Sequence, residues 1–248
     1  MSSGLTTRAA QLLYGSGALG LWRRTAVTLD QLLKSGAVAR RLQRGSLVFM
    51  FHRLCARPDP YREAYDVAEF EWLCQYLAES YEVLPLVELQ QRLSSRRPPS
   101  GAVALTFDDG YADNLELGLP VLRRYRLPAT VFVTTGVIGG QRHLWTSRLA
   151  WIIEHGRLSD GAVEACGLTL RLDGVSQRVE TLDRLTERVK RVPEGQREEI
   201  IARLQQQLAV EDLSGLEGEM LSWDQLREMD AAGFTAEAHT VTHPILAE

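Results

Sequence analysis

Apolar residues fall along this chain in two rhythms, short unbroken runs and longer stretches with helical spacing. Leu47, Val48, Phe49, Met50 and Phe51 form such a run after a basic stretch, and predict a buried strand with His52 at its end. Phe70, Leu73, Cys74 and Leu77 recur at helical spacing; a short strand over 81–84 and a helix over 86–93 follow. The segment 96–101, with Pro98, Pro99 and Gly101, can continue neither. Beyond it, Ala102 to Phe107 predict a second buried strand, running into Asp108, Asp109 and Gly110. A helix through Leu115, Leu119, Leu122 and Tyr125 and an apolar strand over 129–133 complete a βαβ unit. Repeated units of this kind predict an α/β class chain with a parallel sheet or barrel.

Residues from about 140 to 220 break the rhythm. They are rich in Arg, Glu and Gln, and predict a helical insertion between two βα units, with no chemistry of its own. His143 and His155 fall there and are expected at the surface. The unit pattern resumes at Leu221. Ser222 and Gln225 form a capping-box pair, Trp223, Leu226 and Met229 are expected on the buried face of the helix, and Gly233 suits its C-terminal cap. A short strand over 234–238 then leads to His239, Thr240, Val241, Thr242 and His243.

Composition changes this picture little. The 248 residues are 45% hydrophobic and 24% charged, as in ordinary globular chains. A net charge of -4 gives no reason to expect nucleic-acid binding. Cys55, Cys74 and Cys166 are scattered, which favours reduced, structural thiols. The first 45 residues differ: Arg8, Arg23, Arg24, Lys34, Arg40, Arg41 and Arg44 stand against Asp30. They read as a basic helical arm, suited either to packing on the domain that occupies 46–248 or to peripheral contact with anionic lipid. Its apolar stretch lacks the flanks of a cleaved signal, and no run reaches a membrane span. A cytoplasmic or peripherally membrane-associated chain is expected.

Two carboxylates at the C-terminal end of a buried strand need a partner, and strand ends are where parallel α/β folds build sites. A helix-capping turn explains Asp-Asp-Gly equally well. His239 and His243 would share one face if a helical turn starts at His239, a spacing that suits a divalent metal. Two imidazoles and one carboxylate would leave positions open for water and substrate. Other motifs fail on particular letters. A zincin requires Glu at the position of Thr240, and a haloacid-dehalogenase phosphatase requires Asp at that of Phe107. An EF-hand loop requires alternating acidic or amide residues before Gly110, and no Gly-Lys-Ser/Thr loop occurs.

Thr106-Phe107-Asp108-Asp109-Gly110 and His239-Thr240-Val241-Thr242-His243, in this order, resemble the two leading motifs of the polysaccharide deacetylase family, the NodB-homology or carbohydrate esterase 4 group. The resemblance runs from about Leu47 to the C-terminus, interrupted by the insertion. It implies a distorted (β/α) barrel and a metal-dependent N-deacetylase acting on an amino-sugar polysaccharide or glycolipid. Asp109, His239 and His243 would bind the metal, zinc by preference, with cobalt, nickel and manganese admitted by the same donors. Asp108 would be the general base, and His52 would line the substrate pocket. The family's later motifs, including the Leu-x-His that supplies a general acid, do not follow His243 before Glu248. A barrel incomplete at its C-terminus is therefore expected, with a truncated, non-catalytic metal- or sugar-binding chain as the alternative.

Overall fold

The computed structural model describes residues 46–95, 101–158 and 163–245. The basic arm and the double-proline breaker lie outside the described residues.

The fold is α/β, built on five parallel strands. β1 (Leu47–Phe51) is followed by two short strands that pair with each other, β2 (Leu54–Cys55) and β3 (Tyr65–Asp66). Asp66 then caps helix α1 (Val67–Ser80), its carboxylate accepting the Ala68 and Glu69 backbone N–H groups. β4 (Glu82–Val83), α2 (Leu86–Leu93) and β5 (Ala102–Phe107) come next. β5 is the axis of the sheet and every residue in it is buried, as its unbroken apolar run predicts. β1 lies along one side of it in register Phe51 to Phe107. β4 and β6 (Thr130–Val133) share the other side, β4 at Ala102 and Val103, β6 at Thr106 and Phe107. β9 (Thr235–Ala238) pairs with β6, and the arc does not close on itself among the described residues.

The core on one face interlocks three phenylalanines, Phe51, Phe70 and Phe107, with ring centroids 5.2 to 5.6 Å apart. Each such burial contributes about 1.5–3 kcal/mol. Two of the rings end β1 and β5, so this cluster fixes the strand ends that carry His52 and Asp108. Between β6 and β9 lie α4 (Trp145–His155), the hairpin β7 (Glu164–Ala165) and β8 (Leu168–Thr169), α5 (Val175–Val189) and α6 (Glu194–Gln207). These pack a second cluster around Trp145, Leu149, Ile152, Leu185, Ile201 and Leu204.

Several elements differ from expectation. β1 is buried only at its end: Phe51 joins the core, but Leu47, Val48 and Met50 are 53%, 51% and 60% exposed, because β5 is its sole partner strand among the described residues. The helix expected through Leu115 begins as a π-turn (Asn114–Gly118) before tightening into α3 (Leu119–Tyr125), which has Pro120 in its first turn. α7 (Trp223–Ala231) has the expected capping box. It ends in a Schellman turn, Phe234 N–H to Met229 O and Gly233 N–H to Asp230 O, with Gly233 at φ 86. Trp223, however, faces solvent, while Leu226 and Met229 are buried.

All three cysteines are free thiols. Cys74 is fully buried in α1, and burial pushes its thiol up to about 12. A thiol-reactive dye at pH 8 is therefore expected to label the half-buried Cys55 and Cys166 slowly, and Cys74 only after denaturation.

Candidate metal centre

The end of β5 supplies two carboxylates with different surroundings. Asp108 N–H donates to Phe51 O at 2.8 Å, so the residue still belongs to the β1–β5 pairing and is only half-buried. Asp109 has φ 73, a left-handed conformation that costs a non-glycine residue energy and turns its side chain inward. It is buried, and its carbonyl accepts from Thr134 N–H at 3.0 Å, tying the turn to the end of β6. Gly110 follows at φ 85, where a Cβ would meet Val133 Cγ1 at 2.9 Å. Glycine is required here by both backbone conformation and space.

The histidine pair arrives on the extension of β9. His239 N–H donates to Val133 O at 2.8 Å, the last bond of the β6–β9 ladder. The helical turn expected from the four-residue spacing does not form. Thr240 (φ 64) and His243 (φ 57) are both left-handed, and the chain makes a tight loop, with Thr240 Oγ1 accepting from His243 N–H at 3.1 Å. Three bonds from the segment after β6 hold this loop. Thr135 N–H reaches Thr240 O at 3.1 Å, Thr135 Oγ1 the same oxygen at 3.2 Å, and Gly136 N–H reaches Val241 O at 2.9 Å. The two imidazoles still converge, with ring centroids 5.5 Å apart.

They converge on Asp109. Its Oδ1 lies 3.1 Å from His243 Nε2 and 3.6 Å from His239 Nε2. One donor atom from each of the three residues falls within 4.8 Å of the others. The Oδ1 atom itself is buried. Two imidazole nitrogens and a carboxylate oxygen brought this close can share one cation. Tetrahedral bonds of about 2.0–2.1 Å put ligand atoms roughly 3.3–3.4 Å apart, the mean of these two separations. The three residues therefore fit a divalent cation.

The electrostatics separate the neighbours. Burial raises the Asp109 carboxyl, but the His243, His52 and His239 imidazoles outweigh it and hold the group below its ordinary value. Asp108 goes the other way: burial pushes it up, and His52 and His239 only partly offset that. His52 is exposed, its backbone carbonyl accepting Asn114 Nδ2–H at 3.0 Å.

The model of a family described as polysaccharide deacetylase matches residues 95–248, which include Asp108, Asp109, His239 and His243. The chain belongs to the polysaccharide deacetylase family. YxkH of Bacillus subtilis (strain 168), itself named for this family, is 36% identical over 90 residues, 36% of this chain and 32% of that protein. The match thus covers about a third of the curated relative. Among solved structures, a de-N-acetylase from Aggregatibacter actinomycetemcomitans is 15% identical at TM-score 0.40, over 79% of this chain and 53% of that one. IcaB from Ammonifex degensii is 18% identical at TM-score 0.37, over 79% of this chain and 91% of that one.

Two sets of contacts in this polysaccharide deacetylase family chain were not visible in its sequence. Arg53 joins Asp113 (3.0 Å) and Glu219 (2.6 Å) and lies 4.4 Å over the Tyr111 ring, bracing the turn after Gly110 against the chain before Leu221. Its place beside His52 was the only signal; nothing marks Glu219, far along the chain. The second set comes from the helical segment, from which no site contact was expected. Trp145 Nε1–H donates to His243 O at 3.1 Å, with Arg197 beside it. His155 is exposed as expected, stacked on Trp151; His143 is only half-exposed.

Proposed function

We propose that this chain is a metal-dependent hydrolase that removes N-acetyl groups from an amino-sugar polysaccharide or glycolipid. The observation that carries this reading is the buried Asp109 carboxylate on whose Oδ1 two imidazole nitrogens converge, at 3.1 and 3.6 Å. Family membership supports the reaction class.

Asp109, His239 and His243 would hold the cation, and zinc suits a donor set of two nitrogens and one oxygen. A divalent cation there supplies Lewis-acid activation of water and of an amide carbonyl. Asp108, outside the three-donor cluster, would act as general base and take the proton from the attacking water as it adds to the acetamide carbon. Burial lifts its basicity, which suits a group that must take a proton. Cleavage of the C–N bond, with that proton passed on to the leaving nitrogen, would then yield acetate and the free amino sugar. His52, exposed beside both carboxylates, would face the substrate.

The chain stripped with a chelator is expected to release no acetate from N-acetylglucosamine oligomers, and to regain activity when zinc is restored. Metal bound at these three residues with no acetate released from oligomers, polymer or glycolipid would overturn the hydrolase reading in favour of a non-catalytic binding protein.

A further inference from the structure

The helical segment between β6 and β9 reaches the candidate metal centre at the carbonyl oxygen of His243. Trp145 Nε1–H donates to it at 3.1 Å, and Arg197 Nη1 lies 3.5 Å from it. The Arg197 guanidinium stands 4.7 Å over the same indole, and both side chains are only 3% exposed. Among the described residues Arg197 faces carbonyls rather than a carboxylate, with Nη2 3.4 Å from Val192 O and Nε without a partner. A buried guanidinium so weakly satisfied is costly unless the arrangement it holds matters.

His243 needs holding. It is left-handed at φ 57, and it precedes Pro244, whose ring disfavours helical backbone at the residue before it. Its N–H is tied within the loop to Thr240 Oγ1, and its carbonyl is tied outside the loop to α4 and α6. Fixing both ends of one residue fixes the direction of its Cα–Cβ bond, and so narrows the region that Nε2 can reach. We infer that Trp145 and Arg197 are positioning residues that lock His243 in its metal-ligating geometry, making the helical segment part of the metal centre. This inference rests on the metal site proposed above.

The test is zinc affinity of the full chain, measured by competition with a chromophoric chelator, with the cobalt-loaded spectrum as a report on ligand geometry. Trp145→Phe keeps an aromatic ring, though a smaller one, and removes the donor. Its dissociation constant for zinc is expected to rise at least about 10-fold, in the range seen when groups orienting a ligand are lost. Val189→Ala, a buried packing loss in the same helical cluster, is expected to lower the melting temperature yet bind zinc within about two-fold of wild type. Unchanged affinity in Trp145→Phe would overturn the inference, as would an equal loss in Val189→Ala, which would mean a merely structural role. Arg197→Met carries the same comparison should Trp145→Phe not fold, with Arg197→Lys expected to retain more affinity. A wild-type chain that binds no zinc would instead sink the metal site itself, a result read before any variant is made.

Discussion

Asp108→Asn is expected to lower kcat/KM for acetate release by about 10²–10⁴-fold, the range that loss of a general base costs, while leaving zinc affinity intact. The substitution is nearly isosteric, and the backbone bond from residue 108 to Phe51 O is independent of the side chain. An amide cannot take a proton from water. It also lacks the charge whose burial raises the Asp108 carboxyl, so the folded chain should be no less stable. The pH profile gives a second readout. A base must be ionised to work, so wild-type activity is lost as pH falls through the Asp108 carboxyl pKa. The residual activity of Asp108→Asn should lack this limb. Loss of zinc along with activity would make Asp108 a ligand; full activity would put the base elsewhere, with exposed His52 the nearest alternative.

The place of both carboxylates at a strand end could be anticipated because β5 is buried on both faces. An unbroken apolar run of that length has few other homes, and whatever polar residue ends it must sit at the rim of the sheet. The same reasoning misjudged β1, whose apolar run is equally continuous. A run records the side chains, not the number of neighbouring strands, and β1 has its other edge free among the described residues. Of the two signals for the histidine pair, its place after a short strand agrees with the structure and the geometry behind its spacing does not. Four-residue spacing suggested a helical turn; the rings meet instead because two left-handed residues fold the loop back. Those conformations carry no signature when the residues are Thr and His rather than Gly or Asn. Trp145 and Arg197 were invisible for a different cause. Their role lies in reaching a main-chain oxygen of a distant segment, and a carbonyl has no letter in the sequence.

Gly136→Ala should weaken zinc binding by about 10- to 100-fold, although it touches no ligand. Gly136 sits in the turn Thr135–Val137 after β6, where its N–H donates to Val241 O at 2.9 Å. A Cβ built there would stand 2.3 Å from that oxygen, against the 3.0 Å below which real contacts essentially do not occur. Both atoms of the clash are rigid, one a Cβ and the other main chain, so a gap of about 0.7 Å must open between the turn and the histidine loop (3.0 minus 2.3). Val241 lies midway between His239 and His243, and displacing it moves the peptide groups that aim both rings. Misplacement on the scale of an ångström commonly costs about 100-fold at a reacting centre, and a three-donor site has no spare ligand to compensate. The cause is steric alone, since Gly136 is not among the positive-φ glycines. Gly195→Ala is the matched control: it lies in α6 with nothing within 4 Å of the new Cβ, and should gain about 0.4–1 kcal/mol of stability without altering zinc affinity. Wild-type affinity in Gly136→Ala would mean that the histidine loop yields freely, and that the donors are gathered by the cation instead of being held ready for it.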